Sequence, residues 1–171
     1  MRRLIIWLCV TMALALFVST VGLLAHPHFN KTIVVKLPAG VEATLAYNTT
    51  PANESHAKDA AVGSFLTPRR PTLKLSGEVT AGSVTIPAGE YTIGVLKNGE
   101  SDWSMALYPG RVSRGQAPDT SKLIKLESMF ESGAGTAGHM LIDITPGSGK
   151  FEGKAVLTLH FGSMFLAAVL S

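Results

Sequence analysis

Cysteine is nearly missing from this 171-residue chain, the only one being Cys9. It sits in an apolar stretch, residues 4–24, that follows Arg2 and Arg3. Past that stretch there is no thiol, which excludes disulfides, zinc–thiolate centres and a cysteine nucleophile together. Leu8 stands where a lipidation signal needs a small residue, so Cys9 does not read as a lipid anchor. Charge is scarce too, at 16% of residues, and setting aside Arg2 and Arg3 lowers the formal excess from +3 to +1. No basic run or basic helix face is left, and with it goes the electrostatic footprint of a nucleic-acid binder. Catalytic signatures are also lacking: there is no Gly-x-Ser-x-Gly elbow, no His-Glu-x-x-His and no phosphate loop. The glycine-rich segment 133–138 has no βαβ unit around it and no Lys-Ser or Lys-Thr after it, so it reads as a flexible loop.

What is present at the start is an export leader. Two arginines, an apolar run through Val18, the more polar Ser19-Thr20 and then Leu23-Leu24-Ala25 make an n-region, an h-region and a cleavage site. The reading is a signal peptide over residues 1–25 and a single domain over 26–171, exposed to the periplasm or secreted. The competing reading is an uncleaved signal helix, because residues 4–25 approach the roughly 20 apolar residues that span a bilayer.

After His26 no apolar pattern of helical spacing runs beyond about ten residues, and strands are the default. Residues 32–37 are rich in β-branched side chains, and after a Pro38-Ala39-Gly40 turn Val41, Ala43, Leu45 and Tyr47 alternate with mostly polar neighbours. Residues 48–61 are predicted to be a surface loop with one helical turn over 54–60. Further strands are predicted at 72–75, 79–86, 91–96 and 103–108, the last two joined at Asn98-Gly99. Segments 123–130, 140–144, 154–161 and 164–169 complete the set, the last expected in the core. Irregular connections are expected at 109–120 and 132–138. Many short strands with Gly/Pro turns and no intervening helices point to an all-β fold, an antiparallel β-sandwich or partly closed, jelly-roll-like barrel.

The run Pro71-Thr72-Leu73-Lys74-Leu75, then Val84-Thr85-Ile86-Pro87-Ala88-Gly89-Glu90-Tyr91-Thr92-Ile93, then Ser101-Asp102-Trp103-Ser104-Met105-Ala106-Leu107 resembles the centre of the domain-of-unknown-function 2911 family. That resemblance implies an exported bacterial β-rich protein and carries no activity with it. The family's usual Trp-Arg-Thr-Gly segment is replaced here by Leu66-Thr67-Pro68-Arg69-Arg70-Pro71, so no role passes to Arg69 or Arg70. On the residues alone, the Pro87-Ala88-Gly89 turn orients two strands, and Tyr91 and Trp103 read as core anchors whose polar atoms need partners.

The histidines carry the sharpest chemical expectation. Cleavage after Ala25 would begin the chain at His26-Pro27-His28, and an α-amine with the His26 imidazole, helped by His28 or by a distant His56, His139 or His160, would suit Cu(II). Pro27 closes the amino-terminal mode that needs a deprotonated second amide. Three readings therefore stand: a noncatalytic exported module that binds a small ligand or an envelope partner, a periplasmic copper protein using His26 and His28, and a hydrolase or carbohydrate-active enzyme. The third would bring Glu54, His56 or Asp119 together from the loops at 48–61 and 109–120.

Overall fold

The computed structural model describes residues 28–38, 40–115 and 117–171; the leader, its cleavage point and His26 lie outside the described residues. Among the described residues eleven strands and one short α-helix follow one another as β1 (Asn30–Lys36), β2 (Glu42–Asn48), α1 (Glu54–Lys58), β3 (Phe65–Leu66), β4 (Thr72–Leu75), β5 (Val79–Ala81), β6 (Val84–Ile86), β7 (Gly89–Gly99), β8 (Asp102–Pro109), β9 (Ile124–Lys125), β10 (Ser128–Pro146) and β11 (Ala155–Leu170). They form two open antiparallel sheets. One has the order β1-β2-β4-β7-β8-β9, with β3 also paired to β7, and the other runs β10-β11-β5-β6. Each sheet ends in free edges, so the fold is a β-sandwich and not a closed barrel.

Alternation sets the core. In β2 the side chains of Ala43, Leu45 and Tyr47 are buried while those between them are not, and β11 repeats the pattern through Leu157 and Leu159. Together with Leu73, Ile93, Met105, Leu107, Ile142 and Leu166 they form one apolar cluster between the sheets. The chain crosses from sheet to sheet between β4 and β5, β6 and β7, and β9 and β10. At the second crossing the expected partner for Tyr91 appears: its hydroxyl donates to the Pro87 carbonyl at 2.6 Å, while burial pushes its pKa up. Trp103 is buried as expected, with the Lys97 ammonium 5.7 Å from its ring centroid.

Several sequence expectations are corrected. The stretch 79–86 is two strands, β5 and β6, turned at Gly82 with φ +64°. Strand β7 runs on through Asn98-Gly99, which places the hairpin turn at Glu100-Ser101. The glycine-rich segment 133–138 is not a loop but the irregular middle of β10, where register against β11 slips between Ser132 and Leu141. Conversely, 154–161 and 164–169 are one strand, bent at Gly162 with φ +63°. The closing segment lies within β11, between β10 and β5, and buries Met164, Leu166, Ala168 and Leu170.

Candidate functional site: a cavity between the sheets

The two-residue strand β3 and the longer β4 lie along the same edge of β7. Leu66 pairs with Val95 and Thr72 with Thr92, so residues 67–71 stand opposite Ile93 and Gly94 alone. This segment, Thr-Pro-Arg-Arg-Pro, cannot continue a ladder: Pro68 and Pro71 have no N–H, and Arg69 and Arg70 adopt φ of 56° and 50°. Their consecutive left-handed conformations are unusual for residues that carry a Cβ. The Ile93 backbone is nevertheless satisfied, its N–H donating to Pro71 O at 2.8 Å and its carbonyl accepting from Thr67 Oγ1 at 2.8 Å. Gly94 permits the close approach of β3, since a Cβ there would meet Leu66 O and the Phe65 ring at 2.5 Å.

Behind this interruption is a cavity of about 600 Å³. Its walls are apolar and come from both sheets: Leu66, Ile93 and Val95 on one side, Met140, Leu159, Phe161, Met164 and Leu166 on the other. Its polar lining residues are His28, Thr50, Asn53, His56, Thr67 and Arg69, of which His28, Asn53, His56 and Arg69 are exposed. Among the described residues that line it, none is acidic.

Helix α1 closes one end of this space with Ala57, which is buried. Five residues cannot hold a helix by propensity, and side chains from both sheets tie it down. Glu54 accepts from the Ser163 backbone N–H at 2.5 Å and from Ser163 Oγ at 3.0 Å, at the bend in β11. Its carboxyl is lowered to about 2 by hydrogen bonding to Lys58, 2.8 Å away, and to Ser163. At the other end the Lys97 ammonium, 1% exposed, donates to Lys58 O at 2.6 Å and Ala60 O at 2.8 Å, satisfying carbonyls that a helix leaves open. Upstream, Ala52 N–H bonds Gly138 O and Met140 N–H bonds Thr50 O, fixing the approach to α1 against β10.

The sequence-derived candidates separate clearly. His28 lines the cavity with Nδ1 2.9 Å from the Thr49 carbonyl, a bond that requires an Nδ1 proton and leaves Nε2 as the acceptor of a neutral ring. Of the three distant histidines considered beside it, only His56 lines the same cavity. His160 lies on the other face of β11 from the buried Leu159, its ring edge-on to Phe165 at 5.6 Å. No group of three His, Cys, Asp or Glu side chains able to hold a metal occurs among the described residues. The proposed carboxylates do not act together. Asp119 caps the turn Thr120–Lys122 by accepting from Ser121 N–H and Oγ, and it does not line the cavity. Glu54 is committed to Ser163 and Lys58.

Arg69 was missed by sequence reasoning, although Pro-Arg-Arg-Pro between two apolar strands was a signal: prolines on both sides forbid a continuous ladder and force the arginines out of it. Comparison with family models, with curated proteins and with solved structures finds no match to this chain.

Proposed function

We propose that this chain is an extracytoplasmic, noncatalytic binding module that takes a small apolar molecule between its two sheets. The observation that carries the reading is the cavity of about 600 Å³, inside the size range of small-molecule sites, with a mostly apolar lining and four of its six polar residues exposed. The leader-like residues 1–25 support export, and the likeness of residues 71–107 to the domain-of-unknown-function 2911 family supports the same compartment. The anchoring of α1 from both sheets favours a pre-formed site, in which little ordering cost opposes binding.

The test is the fluorescence of N-phenylnaphthylamine, a neutral apolar dye, added to the folded protein. Saturable enhancement is expected, and Leu66→Trp, which thrusts a larger ring into the cavity from its half-buried wall, should lower the dye's affinity about tenfold, the cost of losing one to two kcal/mol of apolar contact. No enhancement, or enhancement that Leu66→Trp leaves unchanged in a protein that still melts cooperatively, overturns the reading.

A further inference from the structure

Resting on that reading, we infer that the cavity takes a single-chain amphiphile with an anionic head group, its chain between the sheets and its head at Arg69.

Three independent features of the site converge on this class. The first is charge. Arg69 lies at the rim with no hydrogen bond or ion pair to any described residue, and the described lining offers no carboxylate to answer it. Among the described lining residues Arg69 carries the only fixed charge, and His28, Asn53 and His56 are the other exposed polar ones. Guanidinium binds carboxylate and phosphate oxygens through two parallel N–H donors, so a lining whose one fixed charge is this cation favours an anion.

The second feature is backbone conformation. Two consecutive non-glycine residues with positive φ cost free energy that the fold does not need to spend for the turn itself, because glycine would adopt the same path without strain. Strain of this kind persists where the side chain is required at that place. Here the path brings Arg69 to the cavity mouth, opposite the gap in the ladder at Ile93 and Gly94.

Size is the third. At roughly 30 Å³ per non-hydrogen atom, the share of one water molecule in the liquid, the cavity would hold roughly 20 such atoms. That suits one unbranched chain of the length found in common fatty acids. A two-chain lipid is too large, and a sugar would leave its hydroxyls unpaired against Ile93, Val95, Met140 and Leu166.

Displacement of N-phenylnaphthylamine by a matched set separates the possibilities: dodecanoate, dodecyl phosphate, dodecanol and dodecylamine, each below its micelle concentration. Both anions should displace the dye about tenfold or more better than the alcohol, as expected for charge-assisted hydrogen bonds in a partly dry site, and the amine should be weakest. A preference between the two anions tells carboxylate from phosphate head groups. Arg69→Gln and Arg69→Gly should bring the anions down to the level of the alcohol while the alcohol's own affinity stays unchanged. Arg69→Gly also removes the positive-φ strain, so its melting temperature should equal or exceed that of the parent, which rules out misfolding as the cause of lost selectivity. Equal displacement by anion and alcohol, or an anion preference that survives both variants, overturns the inference and leaves the apolar site intact. Failure of all four compounds and of the dye overturns the binding reading itself.

Discussion

Strand β7 is met in opposite ways along its two edges. Toward β8 the ladder runs without interruption from Thr92↔Tyr108 to Lys97↔Trp103. Toward β3 and β4 it breaks, and residues 67–71 bulge away from Ile93 and Gly94. The unbroken edge continues into β8, where Met105, Ala106 and Leu107 are wholly buried. Along the broken edge there is a hollow. The contrast teaches that this cavity is not slack packing spread over the core but the local result of one segment that cannot be a strand, held by one backbone and one side-chain hydrogen bond that leave Ile93 satisfied.

The largest expected effect tests that contrast in stability. Leu107→Ala, on the unbroken side, should cost about 3 kcal/mol, the usual range for a fully buried leucine. Leu66→Ala, on the wall of the hollow, should cost about 1 kcal/mol, because much of its surface already faces open space. Urea unfolding measures both. Equal costs would mean that the hollow is filled by side chains in solution and that the two edges do not differ.

A middle-sized effect comes from the residue that lets the broken edge form. Gly94→Ala places a Cβ 2.5 Å from both Leu66 O and the Phe65 ring. The backbone carbonyl cannot yield as a flexible side chain would, so β3 must shift, at a cost of about 2 kcal/mol. Dye binding should weaken along with stability, because Leu66 moves with β3. A variant that is destabilised but binds the dye unchanged would separate β3 from the cavity wall.

How far the sequence carried the fold can be read from the same strands. The β-branched run at 32–37 and the period-two alternation in 41–47 correspond to β1, which half-buries Ile33 and Val35, and β2, which buries one face, and the turn chemistry of Pro87-Ala88-Gly89 corresponds to the corner. The misplaced boundaries share one cause. Glycine signals a permissive backbone, not a broken ladder: Gly133, Gly135 and Gly138 ride inside β10, and Gly162 bends β11 without ending it. The site was harder to read, because its parts are far apart in sequence. His28, α1, the 67–71 bulge, Met140 and Phe161 meet only through sheet packing, and nothing in local spacing announces that Lys97, in an apolar strand, would be buried under the end of α1. The sequence reading put His26 and His28 forward for metal chemistry, with His56, His139 or His160 as distant helpers. His26 lies outside the described residues, and the structure brings His28 and His56 to an apolar cavity, which their residue type could not have indicated by itself.

The smallest expected effect concerns how α1 is held over that cavity. Glu54 is the tie to β11, and its carboxyl is lowered from 4.5 to about 2, first by its bond to Lys58 and then by the Ser163 N–H. A carboxyl with a lowered folded-state pKa stabilises most when both states are ionised, above about pH 5, and the contribution fades as pH falls through 4.5 toward 2. Its size should be about 1 kcal/mol once solvent screening around a partly exposed pair is allowed for. Asp119 and Glu127 are also lowered, by hydrogen bonds from Ser121 and from Ser83, so the clean measurement is a difference. Glu54→Gln should melt roughly 4 °C below the parent at pH 7, and the two melting temperatures should converge near pH 2. A gap that persists unchanged to pH 2 would show that the tie depends on the shape of the side chain and its hydrogen bonds, not on its charge.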